Sequence, residues 1–199
     1  MALLTSELIV SNGQAMLSVL QTRKLTRYFN AFDSDRNGVL ERSDFEKHIR
    51  RVVAAGDLTE DSPAYRWVYA RWMKVWSALA EGADANADGC VDLAEWLAYH
   101  DAQIQAKVPY WRELDAGGVT SVEYLFNLID LDADGQISWK EYSLFLRAYD
   151  VPSDLHEGIF SQLDLNGDGM LTRDEWIVLT DEFYGDDPYA PGNWLFGPF

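Results

Sequence analysis

Twelve residues, Asp130–Glu141 (DLDADGQISWKE), carry acids at their first, third, fifth and last positions and a glycine at the sixth. Asp130, Asp132 and Asp134 offer three carboxylates from one tight turn. Gly135 lets the backbone reverse there, because it has no Cβ to clash. The carbonyl of Gln136, at the seventh position, adds a fourth oxygen. Ser138 can hold a bridging water, and Glu141 closes the cage with two oxygens. A shell of about 6–8 hard oxygens at roughly 2.3–2.6 Å is what a calcium ion takes.

The pattern recurs three more times. Asp84–Glu95 offers Asp84, Asn86, Asp88, the Cys90 carbonyl and Glu95. Asp164–Glu175 offers Asp164, Asn166, Asp168, the Met170 carbonyl and Glu175. Asp33–Asp44 offers Asp33, Asp35, Asn37, the Val39 carbonyl and Asp44, an aspartate where the others have glutamate. Each also has an apolar eighth residue: Leu40, Val91, Ile137 and Leu171. Solvated Asp/Gly turns would not place an apolar residue there four times. The spacing D-x-[DN]-x-[DN]-G-x5-E resembles the EF-hand calcium loop. In paired hands the eighth residue joins a short antiparallel bridge between loops.

The loops differ in chemistry. Asp44 is one methylene shorter than glutamate, which contracts the shell toward six ligands and favours magnesium relative to calcium. Glu41, at the ninth position, can reach the ion and compensate. Magnesium is therefore expected at the first loop if anywhere. The fourth loop has only three acidic ligands and is expected to bind more weakly than the third. Cys90 is read as a small apolar filler whose carbonyl alone matters. As the only cysteine, it can form no intramolecular disulfide.

Helices must hold these loops. Leu17, Leu20, Leu25, Tyr28, Phe29 and Phe32 recur at helical spacing before the first loop, and Phe45, Ile49 and Val52 after it. Ser62-Pro63 starts a long helix over 64–81, aromatic nearly all round and expected to be deeply buried. Val108-Pro109 ends the helix after the second loop. Thr120–Ile129 enters the third loop. The last exiting helix spans roughly Thr172–Tyr184. Loop starts at 33, 84, 130 and 164 leave the first two hands farther apart than the last two. The expected architecture is all-α: four hands in two pairs, compact and globular. A leader (1–14) precedes the first pair (15–108), a hinge (109–117) leads to the second pair (118–184), and a tail (185–199) follows. The tail, GDDPYAPGNWLFGPF, is rich in proline and glycine yet carries Trp194, Leu195, Phe196 and Phe199. It is expected to fold back onto the core.

The chain has 199 residues and 48% apolar content, enough for a sizeable core. Its formal charge is −17. That opposes nucleic-acid binding, and eight charges from four divalent ions would offset about half of it. No stretch of about 20 apolar residues exists, so no membrane span is expected. The start, MALLTSELIV, has no basic n-region, and Ala2 excludes myristoylation. A cytoplasmic, monomeric protein is expected. No nucleophile–base pair, phosphate loop or catalytic zinc motif is present, so no enzyme is expected.

DSDRNGVLERSDFEKHIRRV in the first hand and FYGDDPYAPGNWLFG in the tail make the chain resemble the sarcoplasmic calcium-binding proteins, including their calerythrin-like bacterial members. The likeness covers roughly residues 20–199. It implies a compact calcium and magnesium buffer. It also implies one departure: a hand, often the second, is degenerate in these relatives, whereas Asp84–Glu95 is intact. The same superfamily holds photoproteins and luciferin-binding proteins. Photoproteins need pocket histidines, one of them on the last exiting helix, and Thr172–Tyr184 has none. His48, His100 and His156 are read as surface or edge residues. Two alternatives to a buffer stand: a sensor that binds a protein target, and a calcium-gated carrier of an apolar small molecule. Few methionines (4) and many aromatics (8 Trp, 10 Tyr, 9 Phe) favour a rigid, closed core over the Met-rich groove of a sensor.

Overall fold

The computed structural model describes residues 16–55, 59, 62–106, 112 and 120–199. The leader (1–14) lies outside the described residues, as does the hinge (109–117) apart from Arg112. Four helix–loop–strand–helix units follow one another. The first is α1 (Val19–Phe32), β1 (Val39–Leu40) and α2 (Arg42–Ala55). The second is α3 (Pro63–Ala83), β2 (Val91–Asp92) and α4 (Leu93–Gln105). The third is α5 (Ser121–Ile129), β3 (Gln136–Ser138) and α6 (Trp139–Ala148). The fourth is α7 (His156–Leu163), β4 (Met170–Thr172) and α8 (Arg173–Tyr184). Strand β1 pairs antiparallel with β2, setting Leu40 opposite Val91; β3 pairs with β4, setting Ile137 opposite Leu171. All four of these residues are fully buried. The apolar eighth positions thus tie the loops together in pairs.

Local chemistry fixes the helix starts. Ser18 and Gln21 form a capping box at α1, and Thr120 and Glu123 form one at α5. In α4, α6 and α8 the box is made by the ninth and twelfth loop residues: Asp92 with Glu95, Ser138 with Glu141, and Thr172 with Glu175. Helix α3 begins on Ser62 with a proline in its first turn, and its 21 residues fill the long first spacing. It is not deeply buried all round. Val68, Trp72 and Leu79 face the core, while Trp67 is 42% exposed and stacks under the Arg71 guanidinium. A helix aromatic on every face still buries only the stripe its neighbours cover.

The two halves meet through α2 and α6. Arg51 donates to the Ala148 carbonyl and the Asp150 carboxylate, and Arg27 donates to the Tyr149 carbonyl. Both cap the C-terminal end of α6 from the N-terminal half. After α8 the chain turns back through a 3-10 turn, Pro191–Trp194, and sinks Leu195 and Phe196 into the aromatic core. The Tyr142 hydroxyl donates to the Leu195 carbonyl at 2.9 Å. Lys24, also buried, donates to the carbonyls of Glu182 and Gly185 and to Asn193 Oδ1. Desolvation lowers its pKa to about 8 against the pull of Asp186 and Glu182.

The three histidines are buried, not at the surface. His48 lies among the rings of Phe32, Trp72 and Tyr149. His100 lies against Trp96 and Tyr184, and His156 bridges Ser143 and the Val151 carbonyl. Imidazole is flat and its apolar edge packs against rings, so helical position decided its burial more than polarity did.

Candidate metal centres

Each loop is shaped by a crown of its own backbone N–H groups. The first aspartate accepts from the fifth and sixth residues. Asp33 does so from Asn37 and Gly38, Asp84 from Asp88 and Gly89, Asp130 from Asp134 and Gly135, and Asp164 from Asp168 and Gly169, all at 2.8–3.2 Å. The third residue (Asp35, Asn86, Asp132, Asn166) accepts from the fifth N–H. The fifth (Asn37, Asp88, Asp134, Asp168) accepts from the N–H of the seventh: Val39, Cys90, Gln136 or Met170. Gly38, Gly89, Gly135 and Gly169 all hold φ near +88, which side chains with a Cβ rarely adopt. The fourth position is also left-handed: Arg36, Ala87 and Ala133 at φ 58, and Gly167 at φ 74.

The twelfth residue closes each turn. Glu95, Glu141 and Glu175 accept from the N–H groups of the second, third and ninth residues. Of these backbone N–H groups, Asp44 accepts only from the second and ninth, Ser34 and Glu41. The missing methylene costs it the third-residue contact. The structure brings carboxylates read as ligands together in the first loop (Asp33, Asp35, Asp44) and in the third (Asp130, Asp132, Asp134); in the second and fourth loops the same backbone hydrogen bonds shape the turn around the residues read as ligands.

The donor set fits a hard divalent cation. Ligand atoms of Asp33, Asp35 and Asp44 lie within 4.8 Å of one another, as do those of Asp130, Asp132 and Asp134. Asp33, Asp44, Asp130, Glu141 and Glu175 are buried. Burial raises the Asp130 pKa, and the charges of Glu141 and Asp134 push it further, against the hydrogen bonds from Gly135 and Asp134. Crowded, desolvated carboxylates hold repulsion that a bound cation relieves. Such a site would be held by side-chain oxygens at positions one, three, five and twelve, with the carbonyl of position seven. One charged neighbour was missed by sequence reasoning: Lys47, whose ammonium sits on Asp35 and Asp44. Its signal was its place three residues after Asp44 on a helix, where side chains meet.

Four such loops, each flanked by two helices and joined in pairs by a strand bridge, define an EF-hand calcium-binding protein. The family model described as EF hand matches residues 26–49, 122–146 and 155–179. Those matches leave out the second loop, whose hydrogen-bonded crown is nonetheless that of the others. Calerythrin of Saccharopolyspora erythraea is 27% identical over 171 residues, covering 85% of this chain and 94% of its own. The sarcoplasmic calcium-binding protein alpha chain of Penaeus vannamei is 25% identical over 185 residues, covering 89% and 94%. The coelenterazine-binding protein of Renilla muelleri, in its calcium-loaded apo form, superposes with a TM-score of 0.71 at 20% identity, covering 92% of this chain and 100% of that one. The chain is a calcium-binding EF-hand protein related to the sarcoplasmic calcium-binding proteins.

Proposed function

We propose that this protein is a calcium buffer, or signal modulator, with all four loops as calcium sites and the first also open to magnesium. The observation that carries this reading is the tail. A sensor responds by opening a groove to a target helix. Here Leu195 and Phe196 occupy the centre of the core, and Phe196 stacks on Tyr28 at 4.1 Å between ring centroids. The chain fills its own groove. A buffer of the parvalbumin type works in the range of about 10⁻⁹–10⁻⁸ M. Calorimetric calcium titration, with a hydrophobic dye present in parallel, tests the reading. Tight sites with dye binding that falls on loading are expected; dye binding that rises on loading would make the protein a sensor.

A carrier of apolar small molecules is the second reading, and a cavity motivates it. About 120 Å³ lies between the halves, lined by Tyr28, Trp72, Trp96, Leu125 and Tyr184 among others. Pockets for drug-sized ligands run about 300–1,000 Å³, whereas about 150 Å³ suffices for benzene. The cavity as it stands suits at most a single small ring, which favours the buffer. A carrier would instead purify with an absorbing apolar compound in stoichiometric amount.

Magnesium at the first loop rests on Asp44. Asp44→Glu is expected to restore the third-residue contact and raise the calcium-over-magnesium preference of that loop several-fold. Paired titrations with both ions measure it, and an unchanged preference would refute the assignment.

A further inference from the structure

The first loop differs from the other three in one charged contact. Lys47 Nζ donates to Asp35 Oδ2 at 2.8 Å and to Asp44 Oδ1 at 3.4 Å. These are the third and twelfth positions, two of the four side chains that would take the ion. Lys47 lies fifteenth, counting from Asp33. The same place holds Ala98, Leu144 and Val178 after the other loops. Among the described residues, no salt bridge reaches a ligand carboxylate of those three loops.

We propose that Lys47 is a built-in competitor for the first site, setting its calcium affinity below what its oxygens alone would give and delaying its filling. This rests on the reading of the first loop as a calcium site. A divalent ion on Asp35 and Asp44 takes the lone pairs the ammonium now uses. Left in place, the ammonium would face a like charge. It must withdraw, and it can: the Lys47 side chain is 38% exposed, on a flexible four-carbon stem. Loading therefore exchanges an ion pair for hydrated ammonium, and the exchange weakens binding.

A lysine that holds two carboxylates together could instead help by ordering them in advance. The other loops argue against that. Their backbone crowns hold the same positions with no lysine beside them, so the lysine adds little order and much competition. It does stabilise the empty loop, because Asp33, Asp35 and Asp44 would otherwise repel one another unrelieved. Removing the charge should then do two opposite things: loosen the first loop without metal and tighten its hold on calcium.

The four sixth-position glycine amides read the sites separately. Gly38, Gly89, Gly135 and Gly169 each donate to the first aspartate of their own loop at 2.8–3.0 Å. In ¹⁵N-labelled protein titrated with calcium, Lys47→Met is expected to move the Gly38 midpoint about three- to tenfold lower, roughly 0.7–1.4 kcal/mol, relative to the other three. Lys47→Gln should do the same, and Lys47→Arg should stay near wild type. In chelator, amide exchange at Gly38 should speed up in the Met and Gln variants alone. A Gly38 midpoint that responds to calcium but is unmoved or raised by Lys47→Met and Lys47→Gln overturns the role of Lys47 and leaves the site standing. A Gly38 amide that never responds while the other three do overturns the first site itself, and this proposal with it.

Discussion

Phe196→Ala is expected to lower the stability of the calcium-loaded protein by about 3–5 kcal/mol, the range for truncating a buried aromatic side chain. Its ring stacks on Tyr28 and lies edge-on to Phe183 at 4.7 Å; Tyr149 is 5.5 Å away and Phe145 6.0 Å. Those rings come from α1, from α6 and the residue that follows it, and from α8, so one side chain of the tail joins both halves. Truncation leaves a cavity that rigid rings fill poorly. Gly192→Ala attacks the same interface from the other side. An added Cβ would fall 2.2 Å from the Leu179 carbonyl oxygen and 2.6 Å from Glu182 Cβ, so the tail must lift away from α8. Urea unfolding in saturating calcium measures both variants. The midpoint should fall, and hydrophobic dye binding should rise as the groove empties. A loss below about 1 kcal/mol for Phe196→Ala, with dye binding unchanged, would mean that the tail holds nothing closed and that the buffer reading has lost its support.

How much was legible depended on the range of the interaction. The loops could be read because the hydrogen bonds that shape each turn lie within twelve residues, and the acids, the glycine and the apolar eighth position each leave a mark at fixed spacing. The capping boxes of α4, α6 and α8 are equally local. Lys24 left no mark: its partners Glu182, Gly185 and Asn193 are 158, 161 and 169 residues away. No periodicity in α1 distinguishes a lysine that caps a distant helix from one in water. Helix α3 failed for the opposite reason. With aromatics on every face its pattern gave no direction, and only the packing of α2 and α4 decided that Trp72 goes in and Trp67 out. His48 could have been found. It continues the Phe45, Ile49 and Val52 stripe of α2, and a stripe says more about burial than the polarity of one member.

That misread histidine leads to the second large effect, an acid limb in stability. Burial first, with the Arg51 charge adding, holds the His48 pKa down to about 3. Burial lowers that of His100 to about 4, although its bond to the Trp96 carbonyl pulls the other way. In the unfolded chain both sit near 6.5. Between these values the unfolded state binds protons that the folded state refuses. The stability from keeping each ring neutral is therefore complete above about pH 6.5 and is lost as pH falls toward 4 and then 3. At pH 5 each histidine should cost about 2 kcal/mol. Loop carboxylates also release metal in acid, so wild type alone would mix two causes. His48→Phe separates them, because it keeps the ligands and replaces an imidazole whose two nitrogens find no hydrogen-bond partner. A phenyl ring belongs among Phe32, Trp72 and Tyr149 on chemical grounds. Comparing denaturant midpoints at pH 7 and pH 5 in the same calcium buffer, the variant should lose about 2 kcal/mol less than wild type over that interval. Parallel losses in the two proteins would mean that His48 is protonated inside the fold, and that the contact between α2, α3 and α6 opens to water far more readily than its packing implies.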